Sequence, residues 1–274
     1  MDRFKINFEL KELEQVALWG QKPSQSIHWF GLTDGLLWID VGEQTIYEYT
    51  KEAQSYFEEP NLKYVDYQIS RFLEDFSFLF QYIGESIPKE LYDNVEDFDN
   101  KLERWWDVHE KDPDELFDYF VDTDYVGLIE WLNFKHTMDS GHLTGCQYMS
   151  FFRCKDKIKI IWVSNYEMES GNSIWTSPNG MIEISYGEFV EGVQAFFQRF
   201  YMAMDKQVED AVNKNWECVS LDKERLIIEN KERKEEFNQA ISFLTKPQTH
   251  TDWDNVMRLY EKMNSEIGEL PASS

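Results

Sequence analysis

An α+β fold, with antiparallel β-meanders packed against amphipathic helices and a helical C-terminal third, follows from three features of the sequence. Apolar residues alternate with period two in two separate stretches, first within residues 4–49 and again within 148–184. Helical patterning occupies residues 65–83 between them and takes over completely after residue 185. No Gly/Ser-rich or Pro-rich linker divides the 274 residues, so one domain spanning 1–274 is expected, with two lobes meeting near 139–145 as the alternative division.

Phe4, Ile6, Phe8 and Leu10 alternate with polar residues and predict a half-buried strand. The stretch SIHWFGLTDGLLWIDV at 26–41 places Asp34-Gly35 between two apolar runs, and that dipeptide accepts the positive φ angles of a two-residue hairpin loop. A hairpin turning there sets Leu32 against Leu37, Phe30 against Ile39 and His28 against Val41 on its apolar face, with Trp38 lying over Gly31 on the other. Gly42-Glu43 offers the next tight turn, and residues 45–49 read as a third strand. Val65, Ile69, Phe72, Leu73, Phe76, Leu79, Phe80 and Ile83 then recur at three and four, one face of a helix ending at Gly84 that is expected to cover the hairpin. Asp112-Pro113 followed by acids marks a helix start, and a further helical piece is expected around Ile129 and Trp131.

Strands are predicted at 148–153 and 158–163, joined by the charged turn Cys154-Lys155-Asp156-Lys157, and then at Trp175-Thr176 and 181–184. Ser185 and Glu188 form a capping-box pattern with Ile184 and Phe189 at staple positions. The helix they open presents Phe189, Val193, Phe196, Phe197, Phe200, Met204, Val208, Ala211 and Val212 to the core. Two more helices, over 222–244 and 252–267, are separated by Lys246-Pro247.

Composition narrows function more than any motif does. With 27 basic and 52 acidic residues the formal net charge is −25, which excludes direct binding of a phosphate backbone and points to a basic protein partner. Three widely spaced cysteines do not make a disulfide framework, and the N-terminus lacks the apolar run of a signal peptide. No apolar stretch is long enough to cross a membrane, so a cytoplasmic protein with no membrane partner is expected. Walker, GxGxxG, GxSxG and paired CxxC patterns are absent, and no cofactor is implied. His136, Asp139, His142 and Cys146 lie close in sequence, but their spacing matches neither paired structural zinc ligands nor HExxH. Polar loop residues plus a strand cysteine account for them, and no catalytic or metal-binding residue is assigned. Residues 85–124 hold 15 acids and 4 basic residues, a net −11, interleaved with aromatics. One reading is a pair of solvated helices with inward rings. The other is a docking face formed by Asp93, Glu96, Asp97, Asp99, Glu103, Trp105, Trp106, Asp107, Asp114, Glu115 and Asp118, where carboxylates steer a basic partner and the indoles anchor it.

The segment LWG, the hairpin stretch HWFGLTDGLLWIDV and the later block MIEISYGEFVEGVQAFF together resemble an uncharacterised bacterial family of stand-alone cytoplasmic proteins. The resemblance implies no catalytic residue. In charge and class, though not in a matching motif, the chain is also similar to bacterial immunity proteins, which neutralise toxins by covering their active sites. A binding or inhibitory protein directed at a basic toxin or nuclease is therefore the expected function. The alternatives are an enzyme of unrecognised type using a carboxylate pair or the His/Cys loop, and a mimic of nucleic acid.

Overall fold

The computed structural model describes residues 3–22, 24–143, 145–216 and 219–268 of an α+β protein. Among these residues the first half comprises β1 (Phe4–Leu10), β2 (Gln25–Ser26), a 3-10 turn at Gly31–Thr33, β3 (Asp34–Val41), β4 (Gln44–Ile46), α1 (Lys51–Tyr56), β5 (Val65–Gln68) and α2 (Ile69–Ile83). A helical stretch follows, with α3 (Lys89–Asn94), α4 (Phe98–His109), α5 (Asp114–Phe120) and α6 (Val126–Ile129), the last lying between π-helical turns Val121–Tyr125 and Glu130–Phe134. Then come β6 (Thr137–Met138), β7 (Tyr148–Cys154), β8 (Lys157–Val163), β9 (Gly180–Ser185), α7 (Tyr186–Asn213), β10 (Val219–Ser220), α8 (Lys223–Thr245) and α9 (Trp253–Gly268).

The first sheet corrects the expected hairpin. Residues 26–33 do not return along β3. Instead Thr33 N–H and Oγ1 both donate to the Phe30 carbonyl, closing the 3-10 turn, and Asp34 with φ −56 and ψ 132 already begins the strand. The antiparallel partner of β3 is β1, with Phe8 opposite Leu37, Ile6 opposite Ile39 and Phe4 opposite Val41. β4 and β5 share the other edge of β3. Trp38 stacks on Tyr64 with ring centroids 4.1 Å apart rather than lying over Gly31, and His28 is exposed. Trp29 is buried, its Nε1 donating to Asn230 Oδ1 at 2.9 Å. The glycine of the Asp34-Gly35 pair serves close approach, not a turn: a Cβ there would stand 2.2 Å from the Glu9 carbonyl oxygen. Positive φ occurs instead at Gly42 and at Tyr47, the latter ending β4 at Ile46, short of the strand expected over 45–49.

In the second sheet the antiparallel order is β6-β7-β8-β9, with Lys155 at positive φ in the tight β7–β8 turn. Trp175 forms only an isolated bridge with Tyr49, and their rings stack at 4.8 Å. This sheet is covered on both faces, because successive side chains on a strand point to opposite sides. Phe151, Ile158 and Ile160 join one hydrophobic cluster with β1, β3, α2, α7 and α8, whereas Phe152 and Ile161 join a second with α3, α4, α6 and α9. α2 covers β3 as expected but shares the core with α7, whose Gly192 lets the helix approach the Phe4 carbonyl: a Cβ would lie 2.8 Å from that oxygen. Ser185 Oγ accepts from Glu188 N–H at 3.1 Å, and Glu188 turns away to Arg3 rather than completing the box. The predicted inward face of α7 is buried from Phe189 to Ala211, and Val212 is half-buried.

Replacing Gly35 by Val is expected to destabilise the protein by about 1–3 kcal/mol or more, because the new side chain must displace the β1 backbone. Thermal unfolding checks this: equal melting temperatures for variant and parent would contradict the close β1–β3 contact.

Candidate functional site

α4 is amphipathic in an acidic context, and its two faces have different fates. Phe98, Leu102 and Trp105 recur at four and three and are buried in the second cluster. The opposite side carries Asp99, Glu103 and Asp107, all exposed. Where that side meets the ends of β8 and β9 the surface sinks into a cleft of about 650 Å³. Glu96, Asp99, Asn100 and Glu103 form one wall, Tyr125, Ile129 and Asn133 another, and Asn165 and Asn179 the third. Tyr125 and Asn133 come from the two π-helical turns, which widen the helix and shift its side chains off the ordinary register. The π turn at Val121–Tyr125 is held by Asp124, a buried carboxylate paired with Lys262 of α9.

The electrostatics of the cleft are one-sided. Lys159, which does not line the cleft, is buried and engaged at its Glu96 edge: Nζ donates to Glu96 Oε1 at 2.7 Å and to the Tyr92 carbonyl at 3.0 Å. Among the described residues no ion pair reaches Asp99 or Glu103. Although Asp99 keeps contact with solvent at the rim, the surrounding protein desolvates it and Glu103 repels it, so its carboxyl is raised above the ordinary range. Tyr125 is raised for the same reasons, burial first and then the charges of Glu103 and Asp99, which keeps its hydroxyl a donor. The cleft thus combines uncompensated negative charge, amide groups and a phenol, and its carboxylate and amide oxygens form an acceptor set suited to a guanidinium or ammonium group.

The remaining residues of the expected docking face divide. Asp93 is paired with Lys89 one turn away on α3, and Asp97 accepts from Asn100 Nδ2 at 2.9 Å. Asp107, Asp114, Glu115 and Asp118 are exposed but stand outside the cleft. Trp105 corrects the expectation of two surface anchors. It is 0% exposed, donates from Nε1 to Glu266 Oε2 at 2.6 Å and packs edge-on against Phe120. Trp106 is half-buried between Phe117 and Tyr125, with centroids 5.0 and 4.9 Å away. The large apolar side chains that do face solvent among the acids are Leu116 and Tyr119, at 60% and 66%. They lie three apart on α5 beside Glu115 and Asp118, and so on one exposed face. Tyr125, Asn133, Asn165, Asn179 and Leu116 were not singled out by sequence. Their roles come from a π turn, from strand ends and from which side of a short helix faces outward, and none of these has a motif.

The histidine loop does not gather into one site. His136 is buried, its Nδ1 donating to the Phe151 carbonyl at 2.9 Å, and burial lowers its pKa to about 4. His142 instead packs on Tyr67 with centroids 4.7 Å apart. Among the described residues no three His, Cys, Asp or Glu side chains stand in positions to share a metal ion. Two other carboxylates are engaged in ion pairs of their own, Glu188 with Arg3 and Asp124 with Lys262.

A family model described as a family of unknown function (DUF5984) matches residues 5–259, and the chain belongs to that family. No curated protein and no solved structure matches the chain. Among the described residues no helix is long and apolar enough to cross a membrane.

Two substitutions separate the roles of these side chains. Trp105→Ala should cost about 3–5 kcal/mol in chemical denaturation, the range for deleting a buried large aromatic, and Trp106→Ala distinctly less. Asp99→Asn should do the opposite. An acid raised in the folded state holds its proton more tightly there than when unfolded. Its stabilising contribution is complete below the ordinary carboxylate range and is lost as pH rises through the raised value. The variant should therefore melt above the parent at pH 7, with the gain vanishing below about pH 4. A variant less stable than the parent at pH 7 would contradict the account of the cleft.

Proposed function

We propose that this protein binds and neutralises a basic protein partner by receiving cationic side chains in the acidic cleft, the mode of action of a toxin-immunity protein. The observation that carries this reading is the pair Asp99 and Glu103, one turn apart on α4, lining a cleft without a cation of their own among the described residues. Like charges held together reduce the stability of the free protein, and a partner's Lys or Arg relieves exactly that repulsion. The acids of α5 and Asp107 extend the negative field beyond the cleft and favour fast encounter, while Leu116 and Tyr119 offer the apolar contact that slows release. A hydrolase built on the same two carboxylates is less well supported. Glycoside cleavage needs its two acids flanking the scissile bond, and these two project from a single wall.

Affinity capture from lysate of the producing cells, run in parallel with wild type and with Asp99→Asn/Glu103→Gln, tests the proposal. A basic protein should be retained by wild type and lost by the variant. Its association rate should fall steeply as salt rises, since exposed charges are screened beyond about 8 Å at physiological ionic strength. Tyr119→Ala should leave that rate unchanged and speed dissociation by about tenfold or more. A partner held equally well by the variant would remove the cleft from the binding site.

A further inference from the structure

Away from the acidic cleft, a second arrangement of titratable groups joins two elements that are otherwise linked by few polar contacts. The loop between β6 and β7 crosses the outer edge of the first sheet, where Ser140 Oγ lies 2.8 Å from the Tyr47 hydroxyl and the His142 ring rests on Tyr67 of β5. On the facing side, α2 presents Asp75. His142 Nδ1 and Asp75 Oδ2 are 3.9 Å apart, and both side chains are largely buried, at 18% and 14% exposure. That separation exceeds a hydrogen bond by nearly an ångström. Neither atom has a hydrogen-bond partner among the described residues. Arg71 Nε lies 3.0 Å from the same carboxylate oxygen as an ion pair. With the neutral ring's proton on Nε2, Nδ1 and the ionised carboxylate are both acceptors, so the two buried polar atoms face each other across a gap with no hydrogen between them.

We propose that Asp75 and His142 form a proton-operated latch that fastens the 139–143 loop to α2, open when the pair holds no proton and closed when it holds one. Taking up a single proton converts Nδ1 into a donor. A shift of about 1 Å then makes a charge-assisted hydrogen bond and satisfies both atoms at once. The neighbouring charges set the range. Burial is the main influence on Asp75 and, with repulsion from Asp139 and Glu74, outweighs attraction to Arg71, raising its carboxyl to about 6. Burial and Arg71 hold His142 below its ordinary value, opposed by Asp139. An acid pushed up and a base pushed down bring the two groups closer together in pH, so that the facing atoms compete for one proton. The closed state draws the loop toward α2 while Ser140 stays tied to Tyr47, so acidification tightens the junction between the first sheet and the strand leading into β7.

An NMR titration of the isotope-labelled full chain between pH 5 and 8 reads this directly. The His142 imidazole and the amides of Gly141 and Leu143 should move with one common midpoint, and those amides should exchange more slowly below it. Asp75→Asn removes the proton's second resting place and should lower the His142 midpoint by about one pH unit or more. His142→Gln, which keeps a polar side chain on Tyr67, should abolish the step at Gly141 and Leu143 while the rest of the spectrum stays folded. An unchanged His142 midpoint in Asp75→Asn, or a loop step that persists in His142→Gln, would overturn the proposal.

Discussion

Phe189 is the contact on which the architecture rests. It stands in the first turn of α7, its ring centroid 5.0 Å from that of Phe4 on β1, 5.7 Å from Phe151 on β7 and 6.3 Å from Phe76 on α2. One side chain therefore ties the first sheet, the second sheet and both central helices together. Its position is fixed by the Ser185 cap one turn before it and by Gly192 one turn later, which admits the β1 backbone. Aromatic rings suit such a junction because each buries a large area and meets its neighbours in tilted or edge-on geometry.

The second sheet carries that organisation outward to the functional surface. Because Phe151 and Phe152 point to opposite faces, the sheet seals the main core on one side and offers a platform to α3, α4 and α9 on the other. Lys159, buried and tied to Glu96 and the Tyr92 carbonyl, fastens the two layers together with the Tyr92 hydroxyl, which donates to Glu183 of β9. Trp105 and His109 both reach Glu266 of α9, fixing the rotation of α4 about its axis. With its apolar stripe and its indole committed inward, α4 has to expose Asp99 and Glu103 together. The acidic cleft is thus a consequence of how the helix is anchored, and the repulsion within it is tolerated because the anchoring is strong.

Much of this was legible in the sequence wherever periodicity and capping agreed. The α7 face from Phe189 to Ala211, the β7–β8 turn and the helix face from Ile69 to its end at Gly84 follow from local pattern, whereas Val65, which continues the same spacing, belongs to β5 and pairs with Leu37 of β3. The stretch around Asp34-Gly35 was misread for a definite reason. A dipeptide that can turn is also one that can let two backbones touch, and only long-range pairing with β1, whose residues lie 25 to 37 positions before their partners, decides between these. At the candidate site, composition correctly marked the segment as acidic and aromatic, yet it could not say which rings face inward. Trp105 and Trp106 are adjacent and so lie about 100° apart on the helix, and the one closer to the stripe of Phe98 and Leu102 is the buried one. Of the cleft's asparagines, Asn165 and Asn179 arrive from beside strand ends distant in sequence and Asn133 from a π turn, and none of these belongs to a functional motif.

The most direct measurement is hydrogen exchange of the whole chain, free and saturated with the protein it captures. If the cleft is the binding site, protection should concentrate in α4, in the two π-helical turns and in α5, with the remaining surface unchanged. Protection confined to the exposed edges of the two sheets, with these helices exchanging as in the free protein, would contradict the account.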